Sequence, residues 1–435
     1  MFNEEERKYF LSKLIDFLKI PSVSATGEGI REASSWLKEF MKELGIKSEI
    51  VETNGHPVIY GEINNGGNKT LLVYNHYDVQ PVDPLNEWKY PPFSATIDGD
   101  YIYARGASDN KGTLMARLLA LTKYKGNLNF KFVIEGEEEI GSIHLPEFVE
   151  KNKEKLNADG VIMEGAGLDS KGRPMIVLGV KGLVYVEIIV KTGERDVHSS
   201  NAPVIYNPVW ELIKILNSIY DGEKVKLRGF YDNIEKLPLE TERLLESYDL
   251  DIETFKKSLG AYELKYKDKE SVVYSLFTEP TCNIDGIVAR YIGEGSKTIV
   301  PSIAKVKIDF RLVPNQDPVK IYNLLVDHLN HFKNVKIINH GLEKPVRTSP
   351  NTKIVKAMVS SAIKVYQTDP VILPNSAGTQ PMGVFYDLGI REIVSAIGVG
   401  TPSSNAHAPN ENIKIENFYK AIQHSLEFYK EYEKE

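Results

Sequence analysis

The sequence predicts an α/β protein built on a mixed sheet, with a smaller α+β unit inserted into it. Three observations carry this expectation. Strand-like apolar runs alternate with amphipathic helical stretches from the N-terminus to about residue 180. Between about residues 181 and 340 the pattern changes to long strands and a charged stretch, and from about residue 341 the alternation resumes. At 435 residues the chain exceeds what a single hydrophobic core usually serves. The expected division is therefore 1–180, 181–340 and 341–435, the first and last segments forming one domain.

The elements follow in order. "EEERKYFLSKLIDFLKI" sets Phe10, Leu14, Phe17 and Leu18 on one helical face, and Pro21 stops it. "REASSWLKEFMKELG" is a second amphipathic helix ended by Gly45. "KSEIVET", "PVIYGEI" and "TLLVYNHYDV" read as strands, and "KGTLMARLLALTKY" as a buried helix. "NFKFVIEG" (strand), "IHLPEFVEKNKEKL" (helix) and "DGVIMEG" (strand) complete the first segment. Strands alternating with helices imply a sheet covered on both faces. The inserted unit opens with the strand "KGLVYVEIIVKT" and the helix "PVIYNPVWELIKILNSI". Residues 221–279 are charged and show fewer clear periods; strands in "KTIVPSIAKVKIDFRLVP" and the helix "DPVKIYNLLVDHLNHF" follow. "NTKIVKAMVSSAIKVY" (helix), "EIVSAIG" (strand) and "ENFYKAIQHSLEFYKEY" (helix) close the chain.

Composition narrows the function. Hydrophobic content of 42% and charged content of 26% are those of an ordinary folded domain. A formal charge of -7 without a basic block argues against a nucleic-acid partner. No run approaches the roughly 20 apolar residues of a membrane span, and the acidic N-terminus does not read as a signal peptide. The single cysteine, Cys282, excludes an intramolecular disulfide and a cysteine-rich zinc site, so a reducing, cytoplasmic setting is expected. No glycine-rich phosphate loop opens a helix in the usual form.

The chemistry concentrates at strand ends. The apolar run "FKFVI" leads into Glu135, Glu137, Glu138 and Glu139. Carboxylates this close repel, and burying them unpaired is costly. In open α/β sheets ligands bind at the carboxyl ends of strands. His76 and Asp78 follow one predicted strand, Glu137–Glu139 a second and Glu164 a third; Asp109 precedes the buried helix, and His407 stands in the loop after "IVSAIG". Taken singly, each has a plain structural reading. Asp109 could cap a helix, "EGEEE" could be a solvated turn, Glu164 could pair with a lysine, and His76 or His407 could be a satisfied or surface histidine. Taken together, imidazoles and carboxylates suit zinc, cobalt or manganese, and a pair of dications would make the acidic cluster attractive.

"HYD", "RGASDNKG", "GEEEIGS", "DVHSS", "FRLVP" and "NAHAPNE" occur in the order and approximate spacing of the dinuclear zinc amidohydrolases. The chain resembles that family over nearly its whole length. Members include carnosinase-type dipeptidases, carboxypeptidase G, acetylornithine deacetylase, aminoacylase and succinyl-diaminopimelate desuccinylase. The resemblance implies a metallopeptidase catalytic domain with an inserted lid and dimerisation domain. It implies two divalent ions, zinc by first expectation, with His76 and Glu164 holding one, Glu139 and His407 the other, and Asp109 bridging. Asp78 would orient His76, and Glu138 would be the general base. A cis peptide is expected between Asp109 and Asn110. His198 would reach the oxyanion from the lid, often from the other subunit of a dimer. Arg311 would grip a substrate carboxylate, and Thr298 and Thr379 would touch substrate. The expected substrate is a dipeptide or short peptide with a free carboxylate, with N-acyl amino acids as the alternative. The charged segment 221–279 is similar to the carnosinase branch, whereas Glu164 stands where that branch usually has aspartate and the carboxypeptidase and deacylase branches have glutamate.

Overall fold

The computed structural model describes residues 2–234 and 236–435. Its large sheet has eight strands in the order Lys47–Val51, Val58–Ile63, Asn129–Glu135, Thr70–His76, Gly160–Met163, Ile393–Ala396, Met175–Val177 and Val371–Leu373. The four central strands, from Asn129–Glu135 to Ile393–Ala396, run parallel, while antiparallel pairs flank them. Parallel strands need helical crossovers and are covered on both faces. Accordingly Leu71–His76 is buried throughout, and so is Gly160–Met163.

Helices Glu4–Leu18, Ile30–Glu43, Lys111–Ala120 and Ile415–Lys434 share one large core. Phe10, Leu14, Phe17 and Leu18 are the buried residues of the first helix, as its pattern predicts. Asn3 and Glu6 cap that helix reciprocally, Asn3 accepting from Glu6 N and Glu6 from Asn3 N. Lys111–Ala120 is buried all round because it lies between the sheet and the terminal helices. The opposite face of the sheet carries a second core that includes Tyr74, Phe148, Met163 and Phe385.

The small sheet is wholly antiparallel, in the order Thr281–Ala289, Ile303–Leu312, Gly182–Lys191 and Val335–Glu343. Gly182–Lys191 buries alternate residues, and its Val184, Val186, Ile188 and Val190 pack under helices Pro208–Ile219 and Pro318–Leu329. Each helix starts with proline at its first position after a capping Asn207 or Asp317. The segment with weak periodicity holds three helices, Leu239–Ser247, Ile252–Ser258 and Lys269–Thr278. Leu245, Val273 and Phe277 from it pack on Val177, Val371 and Leu373, so this stretch also covers the edge of the large sheet. Among the described residues, no helix is long and apolar enough to cross a membrane.

Candidate metal centre

The parallel strands end along one edge of the large sheet. His76 is the last residue of its strand and lies in register with Glu135 on the neighbour. Met163 ends the strand on its other side, so Glu164 emerges at the same edge. Ala396 ends the next strand and leads towards the loop carrying His407. Asp109 arrives from the turn before the buried helix, joined to Asn110 by a cis peptide bond as expected.

These segments bring five donor side chains together. His76 Nε2 lies 3.1 Å from Asp109 Oδ1 and 2.7 Å from Glu164 Oε2. His407 Nε2 lies 3.1 Å from Asp109 Oδ2 and 3.1 Å from Glu139 Oε2. Asp109 thus turns one oxygen towards each imidazole, and the donors divide into two sets that share it. Glu138 stands beside the first set: one of its oxygens, His76 and Glu164 offer ligand atoms within 4.8 Å of one another.

The electrostatics are those of a cation site. Glu138, Glu139, Glu164 and Asp109 converge, and among the described residues no lysine or arginine pairs with any of them. Burial and the neighbouring Glu164 charge push the Glu138 carboxyl well above the ordinary range. Hydrogen bonds to Asp109 and Glu139 pull His407 up to about 10. Burial opposes ionisation of Asp109, but His407 and His76 outweigh it and hold that carboxyl low. Glu164 Oε2 is buried and, although near His76, meets no donor in hydrogen-bond geometry. An orphaned carboxylate oxygen within a set of nitrogen and oxygen donors fits a hard-to-borderline dication.

Residues 72–431 match the family model described as peptidase family M20/M25/M40. The chain belongs to this family. It is a metallopeptidase with the family's catalytic-plus-dimerisation fold. It is 57% identical to the M20 family metallo-carboxypeptidase of Sulfolobus solfataricus, whose crystal structure superposes with a TM-score of 0.95 over 100% of both chains. The Cys-Gly metallodipeptidase of Schizosaccharomyces pombe is 26% identical, over 97% of this chain and 94% of the relative. The human Beta-Ala-His dipeptidase is 28% identical, over 86% of this chain and 77% of the relative.

Asp78 supports both the His76 strand and the Glu138–Glu139 turn. His76 Nδ1 lies 3.1 Å from Asp78 O and 3.4 Å from Asp78 Oδ1, both acceptors, which leaves Nε2 to face the site. Asp78 also accepts from Glu138 N at 3.2 Å and Glu139 N at 3.0 Å. The acidic turn is therefore tied to the histidine strand rather than solvated.

The remaining predicted residues lie in or beside the small sheet. His198 is exposed, with Nδ1 2.9 Å from Ser200 Oγ and Nε2 3.5 Å from Thr298 Oγ1. Arg311 Nη1 donates to Thr379 Oγ1 at 2.7 Å, and Thr379 donates to Lys181 O. Asp309 Oδ1 lies 3.3 Å from Arg311 Nε. The four residues thus form two pairs, and among the described residues no hydrogen bond or ion pair joins either pair to the five donors.

Several supporting residues carry no clear signal in the sequence. Glu137 is buried and accepts from His56 N and from His144 N and Nδ1, so it clamps two loops beside Glu138. Gln80 Nε2 donates to Glu139 Oε2. Glu411 is fully buried and accepts from Arg105 Nη1, Gly106 N, Ser108 N and Asp109 N. It thereby ties the His407 loop to the Asp109 turn. Its place in "NAHAPNE" marks it as part of a motif, but nothing in that string tells which main-chain groups it caps.

Proposed function

We propose that the chain hydrolyses the amide bond next to a free carboxylate in dipeptides or short peptides. The observation that carries this reading is the shared Asp109, with one oxygen towards His76 and the other towards His407. His76 and Glu164 would hold one divalent ion, Glu139 and His407 a second, and Asp109 both; zinc suits this donor set. Bound there, the ions would lower the pKa of a water held between them and polarise the scissile carbonyl.

The chain's own groups do the rest. Glu138 accepts the proton of the attacking water and passes it to the leaving nitrogen. Burial and the Glu164 charge raise its pKa, which strengthens it as a proton acceptor. Asp78 keeps the His76 imidazole in one tautomer and one orientation. Arg311, oriented by Asp309 and Thr379, binds the substrate carboxylate with its planar fork. Thr298 and Thr379 contact the substrate beside His198 and Arg311. His198 donates to the carbonyl oxygen as negative charge develops there.

His198 needs a closing motion or a second subunit to reach the reacting bond, and we propose a homodimer through the 181–340 lid. Thr281–Ala289 is an edge strand with Ile287 and Val288 exposed, and Val204, Tyr206 and Trp210 are exposed before and within helix Pro208–Ile219. Unpaired edges and grouped apolar side chains favour a partner surface. The lone Cys282 supports a reducing compartment such as the cytoplasm.

The test is a panel of unblocked dipeptides, the same peptides amidated at the C-terminus, and N-acetyl and N-succinyl amino acids. Turnover of free-carboxylate peptides and loss of turnover on amidation is the expected result. Turnover of the acyl amino acids alone would replace the peptidase reading with deacylation.

A further inference from the structure

Arg117 lies on the buried helix Lys111–Ala120, and its side chain is fully enclosed. Among the described residues no carboxylate pairs with it. Its guanidinium donates instead to four acceptors: from Nη1 to Tyr74 O at 3.0 Å and Asn75 Oδ1 at 2.9 Å, and from Nη2 to Ala396 O at 2.7 Å and Met163 O. Asn75 Nδ2 donates onward to Asn110 Oδ1. Burial lowers the pKa of Arg117 to about 10, which leaves it charged at neutral pH.

A buried cation without a counter-ion is costly, and an apolar side chain would fill a core helix without that penalty. What the arginine touches accounts for its presence. Asn75 precedes His76, Met163 precedes Glu164, and Asn110 follows Asp109. Ala396 is the last residue of the strand that leads to the His407 loop. The strands ending at His76, Met163 and Ala396 are consecutive neighbours in the sheet. At strand ends the ladder stops and carbonyls need other donors. One rigid fork satisfies all three ends at a fixed spacing.

We propose that Arg117 is a positioning residue for the metal centre. It sets the separation of the His76, Glu164 and His407 strands and, through Asn75, the Asp109–Asn110 turn. The donor atoms are then held in place before an ion arrives. The inference rests on the metal-centre reading above and adds a residue that contacts no ligand atom itself.

The test uses Arg117→Lys, which keeps charge but loses the fork, and Asn75→Ala, which cuts the link to Asn110. Chelator-competition titrations with zinc, visible spectra of the cobalt-loaded proteins and urea unfolding of the metal-free proteins are compared with wild type. Expected for both variants are a folded protein, metal affinity about 10–100-fold weaker, an altered cobalt spectrum, and a fall in kcat with little change in KM. Wild-type affinity and spectrum in variants that are merely less stable would overturn the proposal. If Arg117→Lys does not fold, Asn75→Ala decides, and failure of both to fold would assign the network to the fold and overturn the proposal too. Absence of metal binding by the wild type would instead remove the metal-centre reading itself.

Discussion

Replacing His424 with leucine should remove a large part of the chain's acid sensitivity. His424 is fully buried in helix Ile415–Lys434, packed edge-on against Tyr366 with ring centroids 5.4 Å apart. The Met358 main chain favours its protonated form and the Arg117 charge opposes it, and neither ring nitrogen makes a hydrogen bond of good geometry. Burial, aided by the Arg117 charge, lowers its pKa from 6.5 to about 3. The unfolded chain therefore takes up a proton as pH falls through 6.5, while the folded chain does not until pH nears 3. Stability is lost across that window and is fully present above it. Between pH 7 and pH 5 the linkage amounts to about 2 kcal/mol. The assay is urea unfolding of wild type and His424→Leu at both pH values. The difference between the two proteins in their pH 7 to pH 5 change cancels the contribution of the other groups. A shift of about 2 kcal/mol in favour of His424→Leu at pH 5 is expected. Parallel pH dependence in the two proteins would refute the burial of a neutral histidine.

Other outcomes follow from the same structure. Glu138→Gln should keep its metal, measured by elemental analysis, and lose roughly a hundred- to ten-thousand-fold in kcat because the proton acceptor is gone; near-wild-type turnover in the loaded variant would remove Glu138 from that role. Arg311→Lys should raise KM for free-carboxylate substrates more than it lowers kcat, since a point charge replaces a bidentate fork; an unchanged KM would place the carboxylate elsewhere. Glu411→Gln should destabilise the protein by about 3–5 kcal/mol, because Arg105 loses the buried carboxylate that pairs with it and an amide faces three main-chain N–H groups; an unaltered urea midpoint would contradict the pairing.

The large sheet and the candidate donors at its edge were legible because the parallel strands are buried on both faces and read as continuous apolar runs. Their ends are marked by abrupt changes to His, Asp or Glu, as at His76 and Glu135. Motif order did the remaining work for Asp109 and His407. The strands Thr281–Ala289 and Val335–Glu343 escaped notice for a physical reason. Both are edge strands, mostly exposed or half-buried, and each is paired through a register shift, so neither keeps a clean period of two. The helices of residues 239–278 are short, and Ile252–Ser258 buries none of its residues, so a helical period had little to record.

Glu137 and Arg117 show a different limit. The sequence places Glu137 in an acidic turn at a strand end and Arg117 in a buried helix, but it gives neither residue a task. Their partners are mainly main-chain carbonyls and N–H groups, which leave no trace in side-chain identity. Main-chain N–H groups donated to Asp78 and Glu137 fix the shape of the acidic turn, and two imidazoles face part of its charge; the divalent ions proposed above would balance the remainder.

The most direct test of the shared carboxylate is anomalous scattering at the zinc edge from crystals of protein loaded with zinc and freed of excess metal. Two peaks are predicted, one between His76 and Glu164 and one between Glu139 and His407, with an oxygen of Asp109 reaching each. A single peak, or peaks away from Asp109, would contradict a centre built around that residue.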